Sequence, residues 1–144
     1  MAPSGSPARV PVSQLQPQSN LESRAAGVLI VEAHDDMRSA LRDWLLTSFP
    51  PLRLSEARSL EEALRHAEQA PPELVVMNVE LPGPNGIEAT RQLRRRFPSC
   101  QVVLMSVSDS EALRIAALEA GAVAFLAKRE LTASLAALLE RLLK

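Results

Sequence analysis

The chain has 144 residues, of which 47% are hydrophobic, and carries a formal net charge of −1, values typical of a single globular domain. A charge this close to zero gives no global electrostatic case for binding nucleic acid or an anionic membrane. The single cysteine, Cys100, excludes an internal disulfide and a metal site built from cysteines alone.

The first 27 residues differ in composition from the rest. Pro3, Pro7, Pro11 and Pro17 lie among several serines and glutamines, with few large apolar residues. Such a segment buries too little apolar surface to fold, so residues 1–27 are predicted to be a flexible tail. They lack the apolar core of a secretory signal, and no later run approaches the roughly 18 apolar residues that span a bilayer. We therefore expect a cytoplasmic protein without membrane contact, in which residues 28–144 form one domain.

From Val28 onward, short apolar runs alternate with helical patterns. The runs cover residues 28–31, 52–55, 74–77, 102–105 and 123–126. The continuously apolar runs are typical of parallel strands that are covered on both faces. The second run is mixed and is expected at an edge of the sheet.

The segments between these runs carry helix signals. The predicted N-terminal caps of the first four helices are, in chain order, Asp35 or Asp36, Ser59, Asn85 and Asp109. Gly121 suits the position that follows the end of the fourth helix. The fifth helix has leucines along one face. Alternating strands and helices predict an α/β fold, a (βα)5 three-layer sandwich with a parallel sheet and right-handed crossovers.

Polar residues stand where four of the predicted strands end. They are Glu32 with its neighbour Ala33, Asn78, Ser106 and Lys128. The carboxyl ends of parallel strands meet at one edge of an open α/β sheet, so these residues are predicted to line one crevice. Taken singly, each has an ordinary interpretation as a strand-end charge, a helix-entry residue or a surface cation. Asn78 is the most informative, because a carboxylate there could be a nucleophile or a metal ligand and a carboxamide can hardly be either.

The order of these motifs resembles the receiver domains of bacterial response regulators. The resemblance is carried by residues 28–34, 78–90, 103–106 and 121–128, and it implies a CheY-like, flavodoxin-like fold with strand order 2-1-3-4-5 and a role in two-component phosphorelay signalling. The Gly-Ile-Glu-Ala-Thr-Arg run at 86–91 and the lack of proline after Lys128 look most like receivers of the LuxR-type subfamily. No helix-turn-helix is expected after the fifth helix.

The resemblance also implies a role for each crevice residue. Glu32 and Ala33 match the acidic pair that holds Mg²⁺, and Asn78 matches the phosphoacceptor. Ser106 and Lys128 match the hydroxyl and the cation that contact the phosphoryl group. Phe125 matches the aromatic switch. Asn78 offers no nucleophilic oxygen, and Ala33 removes a carboxylate that Mg²⁺ would need. We therefore predict a degenerate pseudo-receiver with no catalytic residue, no metal site, no cofactor and weak or absent Mg²⁺ binding. Lys128 is predicted to reach Glu32, the Asn78 carbonyl, or both, because a buried lysine without a partner is costly.

Two other interpretations remain open. The chain could be a working phospho-receiver that uses a displaced acid such as Asp35 or Asp36, although helix capping is the simpler role for both. It could also be a flavodoxin-like domain that binds a small molecule, although no glycine-rich phosphate loop follows the first strand.

A partner surface is predicted on the last two helices. Ile115 and Leu118 point away from the sheet on the fourth helix, and Ala133, Ala136 and Ala137 keep charge off the outer side of the fifth. Together they predict an apolar patch with a charged rim, which is typical of a contact surface; the alternative is an alanine-rich surface without a partner. By resemblance, this face would mediate a homodimer or contact a histidine kinase or another regulator. The basic run at 91–96 is interpreted as a solvated helix face, so no direct nucleic acid contact is expected.

Overall fold

The computed structural model of the protein describes residues 26–49 and 51–142. In chain order the elements are β1 (Ala26–Val31), α1 (Asp35–Ser48), β2 (Leu52–Ala57), α2 (Leu60–Gln69), β3 (Leu74–Asn78), α3 (Gly86–Arg96), β4 (Gln101–Ser106), α4 (Glu111–Glu119), β5 (Ala124–Ala127) and α5 (Leu131–Leu142), with a short 3-10 turn at Lys128–Glu130. The predicted tail lies outside the described residues except for Ala26 and Gly27. Those two belong to β1, where they pair with Leu52 and Arg53 of β2, so the domain begins earlier than predicted.

The five strands form one parallel sheet in the order β2-β1-β3-β4-β5. This confirms the predicted fold and places the mixed strand, β2, at an edge. Strand β3 is buried along its whole length between β1 and β4.

The core lies on both faces of the sheet, because alternate residues of a strand point to opposite sides. Leu29 and Val31 pack with residues of α2, α3 and α4. Val28 and Ile30 pack with residues of α1 and α5. A fully buried side chain of this size stabilises the fold by about 1.5–3 kcal/mol. Among the described residues, no helix is long and apolar enough to cross a membrane.

Two of the predicted helix caps are confirmed. The Ser59 side chain accepts a hydrogen bond from the Glu62 amide at 3.3 Å. The Asn85 Oδ1 atom accepts from the amides of Ile87 and Glu88, at 2.9 and 3.0 Å. Gly121 also takes its predicted place, since it follows the C-cap of α4 with a φ of +111°.

The other two predicted caps are wrong. Helix α1 is preceded by His34, which makes no side-chain cap, and Asp35 and Asp36 lie inside its first turn. Helix α4 is capped by Ser110, which accepts from the Leu113 amide at 3.3 Å. The carboxylate of Asp109 instead accepts a hydrogen bond from the guanidinium of Arg129, and the Ser110 hydroxyl caps the helix.

Candidate functional site

The predicted crevice residues come together at the carboxyl end of the sheet. Glu32 follows β1, Asn78 ends β3, Ser106 ends β4 and Lys128 follows β5, and these four strands are neighbours in the sheet. Glu32, Asn78 and Ser106 are buried, and the Lys128 side chain is 17% exposed. The site is therefore a set of polar groups taken almost entirely out of water.

Glu32 and Lys128 form an ion pair at the centre of the site. Lys128 Nζ lies 3.2 Å from Glu32 Oε1, which is the first of the two contacts expected for this lysine. The other carboxylate oxygen, Oε2, accepts a hydrogen bond from the His34 amide at 3.0 Å. Both oxygens of the buried acid therefore have partners within the protein.

These partners keep Glu32 ionised. Burial, the largest single influence, raises the pKa of Glu32, but the hydrogen bond from the His34 amide and the hydrogen bond and charge of Lys128 together lower it by more, with a further contribution from Asn78. The net pKa lies below the usual value for a glutamate. The negative charge of Glu32 and the positive charge of Lys128 balance one another without a metal ion.

Asn78 uses both ends of its amide group. The Nδ2 atom donates to Glu32 Oε2 at 3.2 Å, and the Oδ1 atom accepts from the Glu80 amide at 3.3 Å. An aspartate could make only the second of these contacts, because an ionised carboxylate has no proton to donate. The amide is thus matched to the single buried carboxylate beside it.

The sequence did not reveal the contact between Ser106 and Glu80. Ser106 Oγ donates to Glu80 Oε2 at 2.7 Å and accepts from the Ser108 amide at 3.0 Å. The position of Glu80, two residues after Asn78, is the only sequence signal that could have placed it here.

Arg38 is a second contributor that the sequence did not reveal. It is largely buried, and its Nη1 atom donates to the Glu32 carbonyl at 2.9 Å. The Nη2 atom binds Asp35 Oδ1 at 2.6 Å, and Nε binds Glu56 Oε1 at 3.0 Å. The hydrogen bond and charge of Arg38 lower the pKa of Asp35. Asp35 is therefore held on the β2 side of the site.

Few groups remain that could hold a metal ion. Ala33, at the second predicted acidic position, carries only a methyl group. Asp36 is exposed in the first turn of α1. Across residues 26–49 and 51–142, no group of three or more histidine, cysteine, aspartate or glutamate side chains is placed to hold a metal.

The predicted aromatic switch points inward. Phe125 is 3% exposed, the Arg114 guanidinium carbon lies 5.3 Å from the centre of its ring, and Arg114 Nη1 donates to the Phe125 carbonyl at 3.2 Å. Arg114 thus ties α4 to β5.

The residues of the predicted partner surface are mostly exposed. Ile115 and Leu118 are 49% and 48% exposed, Ala133 and Ala137 are exposed, and Ala136 is half-buried. Beside them, a groove of about 440 Å³ runs between β5 and α5. Its lining residues are Ala124, Leu126, Ser134, Ala137, Leu138 and Arg141.

The sequence model of the family described as "Response regulator receiver domain" matches residues 28–140. The chain belongs to this family. The transcriptional activator protein ExaE of Pseudomonas putida is 40% identical over 102 residues, which are 71% of this chain and 48% of ExaE. The response regulator GacA of Pseudomonas viridiflava is 35% identical over 101 residues, 70% of this chain and 47% of GacA. The chain spans about half the length of these curated relatives.

Solved structures of receivers match the same fold. A LuxR-family two-component response regulator from Aurantimonas sp. SI85-9A1 is 30% identical, with a TM-score of 0.73 over 83% of this chain and 85% of that chain. The BeF3-activated DrrB receiver domain, 21% identical, has a TM-score of 0.74 over 83% of this chain and 97% of that chain, which supports the fold alone. This receiver domain is a non-enzymatic module of two-component signalling, in which receivers interact with histidine kinases and other proteins.

Proposed function

We propose that this receiver is a pseudo-receiver, which is not phosphorylated at position 78 and signals by binding a protein partner. One observation carries the proposal. The Asn78 side-chain amide makes two hydrogen bonds: its Nδ2 atom donates to the Glu32 carboxylate, and its Oδ1 atom accepts from the Glu80 amide. The group at the phosphoacceptor position is therefore a structural link between two loops, and its uncharged amide oxygen is not the nucleophile that phosphoryl transfer needs.

The chemistry of phosphoryl transfer supports this assignment. Transfer needs an oxygen nucleophile in line with the phosphorus and a metal ion that neutralises the developing charge. Mg²⁺ is usually held by one or two carboxylates in near-octahedral geometry. Glu32 has both oxygens engaged by protein donors, and Ala33 offers none. The donor set does not fit Mg²⁺, and we expect weak or absent binding.

A protein partner fits the outer face of α4, β5 and α5. Ile115 and Leu118 are about half exposed and present apolar surface to water, as central residues of many contact surfaces do. The partner would be a histidine kinase, another regulator or a second copy of this chain, in the cytoplasm.

The basic run on α3 supports a protein partner over nucleic acid. Arg91 pairs with Glu88 at 3.0 Å, and Arg96 pairs with Glu68. Arg94 donates to the carbonyls of Pro98 and Cys100. Three of the four guanidinium groups in this run are thus engaged by the protein itself, which supports the expectation of no direct nucleic acid contact.

The two alternative functions receive less support. Asp35 is bonded to Arg38 at 2.6 Å and lies 3.7 Å from Arg58, so a phosphoryl acceptor there would have to break these contacts. A small-molecule site at the crevice would have to displace the buried pair of Glu32 and Lys128.

Intact-protein mass spectrometry after incubation with acetyl phosphate and Mg²⁺ tests the proposal. We expect no gain of mass, whereas a receiver with an aspartate at the matched position, treated in parallel, gains one phosphoryl group. A phosphoryl group that is found on Asp35 or Asp36 by peptide mapping would overturn the proposal in favour of a displaced acceptor. A nucleotide or flavin that co-purifies at equal stoichiometry would favour the small-molecule alternative.

A further inference from the structure

Glu80 spans the gap between two loops at the carboxyl end of the sheet. Its main-chain amide is bonded to Asn78 Oδ1 at 3.3 Å, and its carboxylate accepts from Ser106 Oγ at 2.7 Å. Ser106 is fully buried, although Glu80 itself belongs to an exposed stretch of chain. Glu80 is thus an exposed residue whose carboxylate contacts a buried hydroxyl at the end of β4.

The Ser106 hydroxyl both donates and accepts a hydrogen bond within the chain. It donates its proton to Glu80 and accepts the Ser108 amide at 3.0 Å. A hydroxyl has one proton to donate, and here it goes to a protein carboxylate. An anion from solution would have to displace a like-charged group to take this donor.

The hydrogen bond between Ser106 and Glu80 also lies at the start of the loop that leads into α4. Ser108 is held through its amide to Ser106, and two residues later Ser110 caps α4. Helix α4 carries the exposed Ile115 and Leu118, together with Arg114, which is bonded to the Phe125 carbonyl. The position of the Ser106 hydroxyl is thereby connected, through short contacts, to the orientation of the proposed partner face.

We infer that Glu80 is a built-in anionic ligand of Ser106, which fixes the β4–α4 loop, and with it α4, in one position without any added anion. The inference rests on the proposed function and specifies its regulation: the partner face is held permanently in one arrangement. Glu80 is a positioning residue, since it acts on the face only through Ser106 and Ser108.

Amide hydrogen exchange, measured residue by residue in the full chain, tests the inference. Glu80→Ala removes the acceptor, and we expect the Ser108 amide to exchange about ten-fold faster or more, because losing a hydrogen bond to a charged acceptor opens the loop. The first-turn amides of α4 should follow in the same direction. Glu80→Gln keeps an oxygen that can accept from Ser106 but removes the negative charge, so it should restore only part of the protection.

Glu88→Ala is the matched acidic control. Glu88 lies on α3 and is bonded to Arg91 and Gln92 at the surface, so its loss should leave Ser108 and α4 unchanged. The inference is overturned if Glu80→Ala leaves Ser108 and α4 exchange at the wild-type rate. It is also overturned if exchange rises equally in all five strands, because Glu80 would then act on global stability alone. Neither result bears on phosphorylation, which the mass measurement tests separately.

Discussion

A carboxamide at position 78 solves a local charge problem. Glu32 Oε2 lies 3.2 Å from Asn78 Nδ2, and both residues are buried. An aspartate would place a second negative charge at that distance, where two carboxylates cannot both ionise easily. The asparagine turns this repulsion into a hydrogen bond, and Lys128 alone then balances Glu32.

The variant Asn78→Asp tests this account. Because it exchanges a hydrogen bond for a like-charge contact, we expect it to lower the free energy of unfolding by roughly 1–3 kcal/mol at neutral pH without divalent ions. Saturating Mg²⁺ should offset most or all of this loss, since binding at 100 times Kd adds about 2.7 kcal/mol. Urea unfolding with and without Mg²⁺ measures both effects. A similar Mg²⁺-dependent rise in the wild-type protein would show that the site binds the metal after all.

The pKa of Glu32 predicts how stability depends on pH. Its folded pKa is below its unfolded value, so its stabilising contribution is complete above the unfolded pKa, about 4.3 for a glutamate. That contribution is lost as pH falls through the lower, folded pKa. We expect Glu32→Gln to flatten the acid limb of a plot of unfolding free energy against pH below about pH 5. Glu61→Gln, which alters the exposed pair with Arg65, is the control and should keep the wild-type slope.

Part of the site could be predicted from single residues and part could not. The grouping of Glu32, Asn78, Ser106 and Lys128 follows from the rule that the carboxyl ends of parallel strands meet at one edge. The pairing of Glu32 with Lys128 follows from the cost of burying a lysine without a partner. The contacts of Glu80 and Arg38 do not follow from either. They depend on the path of a loop and on the rotamers of long side chains, which neither periodicity nor spacing specifies.

At the scale of elements, the strands were easier to predict than the helix ends. Continuous apolar runs identify β1, β3 and β4 because burial on both faces leaves few alternatives. A cap depends on which of several adjacent acceptors faces the first amides of a helix. Before α4, Asp109 and Ser110 are both good caps by residue type, and the Arg129 guanidinium beside Asp109 favours Ser110 as the cap.

The two candidate caps of α4 can be separated by experiment. Ser110→Ala removes the oxygen that accepts from the Leu113 amide, and we expect it to cost about 1 kcal/mol of stability. Asp109→Ala removes only surface ion pairs with Arg114 and Arg129, each worth roughly 0–1 kcal/mol. Urea denaturation of the two variants gives the comparison. A greater loss in Asp109→Ala than in Ser110→Ala would restore the aspartate as the cap.

At the scale of the whole molecule, the sheet divides the helices of the domain into two groups. Helices α1 and α5 pack with one face of the sheet, and α2, α3 and α4 with the other. Every polar site residue lies at the carboxyl edge, which borders both sides. Helix α4 is the element that joins this edge, through the Ser106–Ser110 loop, to an exposed apolar surface. Under the proposed function, the domain would present that surface without a phosphoryl switch, because the surface is built from the same packed elements.

Introducing positive charge into the apolar surface at Ile115 and Leu118 tests whether that surface binds a partner. Ile115 and Leu118 are about half exposed, so Ile115→Lys with Leu118→Lys should change the free energy of unfolding by no more than about 0.5 kcal/mol per site. Whichever association the wild-type protein shows, with itself in sedimentation velocity or with a partner captured from cell extract, the same pair should abolish it, because each lysine would be buried without a counter-charge in the complex. Leu46→Lys is the matched control, since Leu46 is 44% exposed on α1, across the sheet from α4. If the control weakens binding as much as the double variant does, or if neither weakens it, the partner face lies elsewhere on the domain.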